Sequence, residues 1–195
     1  GTQAGSAIVF RLLKRPRLVL GMASVALFFM GQFALFTYVR PLLETVTRVD
    51  VSALSLILLG IGIAGVIGTS LIGNFLREGL YRTLIAIPVA MAFIAGLLTV
   101  FGGNLATTAV ALGVWGLIAT AAPVGWWTWL ARSLPQDAEA GGGLMVAVIQ
   151  LTITLGAVIG GLLFDMGGYQ PTFMVSAVLL LAGALLTMRT ARTEV

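Results

Sequence analysis

"SALSLILLGIGIAGVIGTSLIGNF", residues 52–75, carries no charged side chain from end to end. A helix crossing the hydrocarbon core of a bilayer needs about 20 apolar residues, and this run supplies them. Five further stretches of the same kind follow from this reading, giving spans at 18–39, 53–76, 83–101, 107–130, 144–164 and 171–188. In lipid the backbone polar groups must be satisfied within the segment, so these runs read as helices. The short alternating segments of a membrane β-barrel are absent. The expected fold class is an all-α membrane protein of six transmembrane helices.

Composition points the same way. The chain has 195 residues, of which 59% are hydrophobic and 9% charged. Soluble domains carry about a quarter charged residues, so this chain cannot cover itself with polar surface in water. Cys and His are both absent. That removes disulfides, thiol nucleophiles, His-based metal sites and Ser-His-Asp triads, so the reading is not an enzyme, with no cofactor and no metal. A sequence pI of about 10.4 reflects few acids rather than a nucleic-acid patch, because the basic residues sit between apolar runs.

Those basic residues set an orientation. Arg11, Lys14, Arg15, Arg17, Arg77, Arg82, Arg132, Arg189 and Arg192 fall on one side of the six spans, and only Arg40 and Arg48 on the other. Nine against two places both termini in the cytoplasm by the positive-inside rule. Residues 1–17 then form a cytoplasmic linker, with 6–17, "SAIVFRLLKRPR", read as an interfacial amphipathic helix ending before Pro16 or as a solvated basic linker. Residues 18–188 form the membrane bundle and 189–195 a cytoplasmic tail. The chain begins at Gly1 rather than Met, which reads as an internal start, and no secretory signal is evident.

No span carries an ionisable side chain near its middle. A charge there costs roughly 2.5–3.5 kcal/mol on insertion scales and usually marks a function. What remains is uncharged polarity. Phe29, Gln32 and Phe36 share a face of the first span, and Gln150 and Thr154 share a face of the fifth. Trp115, Ala119, Ala122 and Trp126 form a stripe on the fourth. An amide in lipid must find a partner, so both glutamines are expected to face protein or a cavity, as interhelical bonds or as ligand contacts. The cluster "APVGWWTWLAR", residues 122–132, closes the fourth span. Its Trp127 and Trp129 read as interfacial anchors, Trp126 as facing the interior, and Pro123 as kinking the helix one turn back. Small residues at helical spacing, Gly60, Ala64 and Gly68 in span two and Gly156 and Gly160 in span five, read as close-packing faces between helices.

"GQFALFTYVRPLLE" (31–44), "PVGWWTWLARSL" (123–134) and "AVIQLTITLGAVIGGLLFDMGGY" (147–169) together resemble the C-terminal half of a major facilitator superfamily transporter. The branch is that of twelve-span drug:proton antiporters, and the Trp-rich stretch is most similar to bacterial purine-ribonucleoside efflux pumps. In "GNFLREGLYR" (73–82) the family's Gly-x-x-x-Asp-Arg loop keeps Gly73 and the basic Arg77 and Arg82, with the acid displaced to Glu78. The resemblance implies two inverted three-helix repeats, 18–101 and 107–188, and an N-terminal six-helix half absent from this chain. It implies that the first, second, fourth and fifth helices face the cavity or the other half. It also implies a bacterial inner membrane, a small-molecule substrate and protons as the coupling ion. The substrate would meet Phe29, Gln32, Phe36, Trp115, Trp126, Gln150 and Thr154. A sugar or multidrug carrier of the same superfamily, and a six-helix structural protein without transport, stand as alternatives.

Overall fold

The computed structural model describes residues 2–193, and among these every regular element is a helix. They run α1 Thr2–Leu12, α2 Pro16–Phe36, α3 Val39–Thr45, α4 Val51–Glu78, α5 Leu80–Phe101, α6 Leu105–Ala119, α7 Ala122–Ser133, α8 Ala138–Gly167 and α9 Tyr169–Arg192. With α2–α3 and α6–α7 each taken as one interrupted rod, six helices are long and apolar enough to cross a membrane. The chain is an all-α protein of the multi-pass membrane kind.

Local chemistry explains where the rods start and stop. Pro16 opens α2, where its missing N–H costs nothing and its fixed φ suits the first turn. The Asp50 side chain accepts from the Ala53 N–H at 2.7 Å and caps α4, and Asn104 accepts from Thr107 at 2.9 Å and caps α6. Gly168 joins α8 to α9 at φ +80°, a left-handed turn that a side chain rarely adopts. The fourth rod breaks at Thr120–Ala121, two residues before Pro123, which cannot donate to the carbonyl four residues back. Hydroxyls inside the rods turn back onto their own helix: Ser24 donates to Leu20 O at 2.8 Å, Thr152 to Val148 O at 2.7 Å and Thr187 to Gly183 O at 2.7 Å. No hydroxyl among these three needs water or lipid as a partner.

The helices assemble around α2 and α9, which pack along one another, with α8 on α2 and α5 on α9. A second cluster forms where α4 lies on α6. Backbones meet closely at both seams. A Cβ on Gly68 would run into the Leu117 carbonyl, and one on Gly116 would stand 2.5 Å from the Ile61 carbonyl oxygen, so α4 and α6 need glycine on both sides. Gly156 and Gly160 do the same for α8 against the Met30 and Ala34 carbonyls of α2. Gly60 is different: nothing lies within 4 Å of the position its Cβ would take, so the Gly60, Ala64 and Gly68 face is open at Gly60, half-buried at Ala64 and closed at Gly68. Gly65, one position over, meets the Thr120 side chain.

Polar bonds tie the seams. Ser176 on α9 donates to Gly31 O at 2.6 Å, Tyr38 to Ala157 O at 2.5 Å, and Thr172 to Gly160 O at 2.8 Å. Outside the bundle, α1 ends at Leu12 rather than continuing to Pro16, and Leu12 is fully buried. Arg11 and Arg15 both reach Asp137, at 3.5 and 3.8 Å, holding the α1–α2 connection against the segment before α8.

Coverage is uneven. Of the apolar stretch in α2–α3, 61% is buried, whereas α4 and α8 have 22% and 17%. Leu59, Ile63 and Val66 on α4, and Leu151, Leu155 and Leu162 on α8, are left uncovered.

Candidate functional site

A cavity of about 400 Å³ opens where α2, α4, α6, α7 and α8 converge. Its size lies within the 300–1,000 Å³ range of small-molecule sites. Phe29, Gln32 and Phe36 line it from α2 and Trp115 from α6, so the structure brings together four of the seven residues singled out from sequence. Phe33, Ile61, Gly62, Thr120 and Ile153 also line it, and sequence reasoning did not name them. Phe33 carried one usable signal. It sits three residues before Phe36, and the two rings meet edge to face at 6.2 Å. Ile61, Gly62 and Ile153 look like ordinary apolar span residues and gave no signal.

The polar side chains lining the cavity are those of Gln32, Trp115 and Thr120. Gln32 is 9% exposed and Trp115 1%, and neither the Gln32 Oε1 nor the Trp115 Nε1 has a hydrogen-bond partner. Among the described residues only one further buried side-chain atom, the Ser133 hydroxyl, shares that condition. A buried polar atom without a partner costs about 1–3 kcal/mol, so two at one site call for an explanation. One atom is an acceptor and the other a donor. Both belong to residues lining the same apolar cavity but have almost no surface open to it, so a bound molecule with a donor and an acceptor of its own would pair them once the two side chains turn toward it.

The other three candidates lie elsewhere. Trp126 is buried but does not line the cavity; its ring meets that of Trp129 edge to face at 5.6 Å. The expected Trp115–Trp126 stripe runs across Thr120–Ala121, which keep right-handed helical dihedrals, but only its Trp115 end and Ala119 reach the cavity. Trp129 is not a surface anchor either. It is fully buried, closes over Gly21 of α2 and donates from Nε1 to the Tyr81 hydroxyl at 3.2 Å. Trp127, 40% exposed, is the tryptophan of this cluster at the surface. Gln150 and Thr154 are exposed on α8, flanking the cavity residue Ile153 without joining it, and the Thr154 hydroxyl donates to Gln150 O at 3.1 Å. None of the described acidic residues is buried, and no group of them is placed to hold a metal.

No protein-family model matches the chain. Transcription regulatory protein OpdE of Pseudomonas aeruginosa is 61% identical over 186 residues, covering 95% of this chain and 46% of that protein. Purine ribonucleoside efflux pump NepI of Escherichia coli is 44% identical over 178 residues, 91% of this chain and 45% of the pump. NepI of Shigella flexneri matches to the same extent. The chain thus spans about half the length of the curated relatives it matches.

Proposed function

We propose that the chain is one six-helix half of a secondary transporter, an efflux pump for small molecules such as purine ribonucleosides. The observation that carries this reading is that Gln32 and Trp115, which line one aromatic cavity, each hold a buried polar atom without a partner, Oε1 and Nε1. A nucleoside presents a flat base and several donors and acceptors, and the cavity offers aromatic faces with uncharged hydrogen-bonding groups. The efflux-pump relatives support the same substrate class.

The uncovered faces of α4 and α8 support the missing half. Gln150 is exposed in the apolar length of α8, and an amide turned toward lipid lacks a partner. A second six-helix bundle laid over α4 and α8 satisfies it and brings Gln150 and Thr154 to the edge of the cavity beside Ile153. Alternating access then proceeds by rocking one bundle against the other around the site. The two halves of this chain, 18–101 and 107–188, form the inverted repeats of that architecture. Both termini lie in the cytoplasm of a bacterium whose inner membrane holds the protein. Protons drive export, and the carboxylate that carries them belongs to the other half, because no described acid here is buried.

The name of the 61%-identical relative favours a second reading, a role in transcription. A carrier that changes the cytoplasmic concentration of an inducer alters transcription without touching DNA, so that name and transport are compatible. DNA binding by the purified protein would separate the two.

The test is resistance of cells to a toxic purine ribonucleoside. Cells expressing the complete twelve-helix protein should gain resistance and cells expressing residues 1–195 alone should not. Equal resistance from the chain alone would refute the half-transporter reading. No resistance from either would refute the substrate class.

A further inference from the structure

A second apolar space lies apart from the cavity described above. Although Gly79 alone separates them, α4 and α5 touch little along their length, while α6 packs against both. The crevice left between them is an apolar cavity of about 410 Å³, walled by Leu71 and Phe75 of α4, Ala86 and Ala90 of α5 and Leu117 of α6. Leu71 and Phe75 are 52% and 60% exposed, so the crevice opens on the outer surface of the bundle. Ala86 and Ala90 also line an apolar cavity of about 840 Å³ between α5 and α6, so the two spaces meet along α5 and form one groove. From Arg82 to Ala90 the helix rises about 12 Å, close to the depth of one bilayer leaflet, which is about 15 Å.

The mouth of this groove is charged. Arg82, in the first turn of α5, is exposed and lines the crevice. Among the described residues it makes no ion pair or hydrogen bond, and neither does the nearby Glu78. Its neighbours are otherwise engaged: Arg77 donates to Asn74, and the Thr83 hydroxyl donates to Gly79 O at 2.8 Å. The residue stands at the pole of the bundle that carries nine of the eleven basic side chains. A free guanidinium above an apolar groove of leaflet depth matches a phosphodiester headgroup above an acyl chain.

We propose that the α4–α5 crevice is a binding site for an anionic phospholipid, with the headgroup phosphate on Arg82 and one acyl chain lying along Ala86 and Ala90. The site requires membrane insertion and is independent of transport. Native mass spectrometry of the purified protein, carried through detergent with dioleoyl phosphatidylglycerol or dioleoyl phosphatidylcholine, tests it. The protein should retain phosphatidylglycerol in preference to phosphatidylcholine. Arg82→Gln should lower that retention about fivefold, the effect of one basic residue at an anionic surface. Ala90→Phe, which fills the groove, should lower it as well, with its melting temperature recorded to show that it folds. Arg77→Gln and Arg132→Gln, at the same pole, should retain the lipid as wild type does. Equal loss in all three arginine variants would show general attraction to the basic pole and overturn the site. Unchanged retention in both Arg82→Gln and Ala90→Phe would also overturn it and leave the groove to another protein surface.

Discussion

At Gln32 the sequence shows a lone amide in an apolar run that needs a partner, and the structure buries that side chain beside a cavity and leaves its Oε1 unpaired. What could not be read was Trp129. Three tryptophans before an arginine look like an interfacial belt, yet one of them fills the contact between α7 and α2. Trp129→Ala should therefore cost about 3–5 kcal/mol of folding stability, the range for emptying a large aromatic site, and Trp127→Ala much less. Thermal unfolding in detergent, followed by circular dichroism, measures both, and equal losses would contradict the assignment. The glycines make the same point. Spacing marks five small residues as packing positions, but which of them touch another backbone depends on where the partner crosses. Gly68→Ala places a methyl against the Leu117 carbonyl and should lower stability by about 1–3 kcal/mol, while Gly60→Ala enters open space and should be near neutral. The same melting experiment decides, and a costly Gly60→Ala with a silent Gly68→Ala would reverse the seam. Asp165, exposed near the end of α8, is not placed to carry a proton through the bundle, so Asp165→Asn should leave proton-coupled export intact in the complete transporter.

Element by element, the six apolar runs were legible because each is long, uncharged at its centre and bounded by charged or glycine-rich connections. The break in the fourth rod was legible too, since proline removes a donor whatever its surroundings. Its consequence was not: Thr120 and Ala121 keep right-handed helical dihedrals, yet Trp126 packs on Trp129 rather than at the cavity that Trp115 lines. Pro123→Ala restores a donor to the Ala119 carbonyl and should slow amide exchange across 120–124. Unchanged exchange there would mean that packing of α7, rather than the proline, holds the break. At the other pole Asp50 caps α4 by accepting from Ala53. Asp50→Ala should lower stability by about 1 kcal/mol, the usual worth of such a cap, and Asp50→Asn should recover most of it.

For the molecule as a whole, the outer faces of α4 and α8 are where the proposed second bundle would lie. A period-3.6 pattern could not distinguish a face meant for lipid from one meant for a second bundle, because both are apolar. Gln150 and Thr154 are the residues on which the proposal of a second bundle rests, and they serve it only once their exposure is known. The proposed orientation, with nine basic residues in the cytoplasm, predicts that Cys at position 50 or 104 reacts with an impermeant thiol reagent from outside the cell, and that Cys at position 79 does not. The central claim is that the cavity bounded by Gln32 and Trp115 holds the transported molecule. Export of a radiolabelled purine ribonucleoside by cells expressing the complete transporter tests it most directly, with Gln32→Ala, Trp115→Phe and Trp127→Ala compared at equal protein levels. Each lost hydrogen bond should weaken recognition by about 1–3 kcal/mol, so Gln32→Ala and Trp115→Phe should each lower export roughly five- to hundredfold at subsaturating substrate, with Trp127→Ala close to wild type. Wild-type export from both Gln32→Ala and Trp115→Phe would contradict the account.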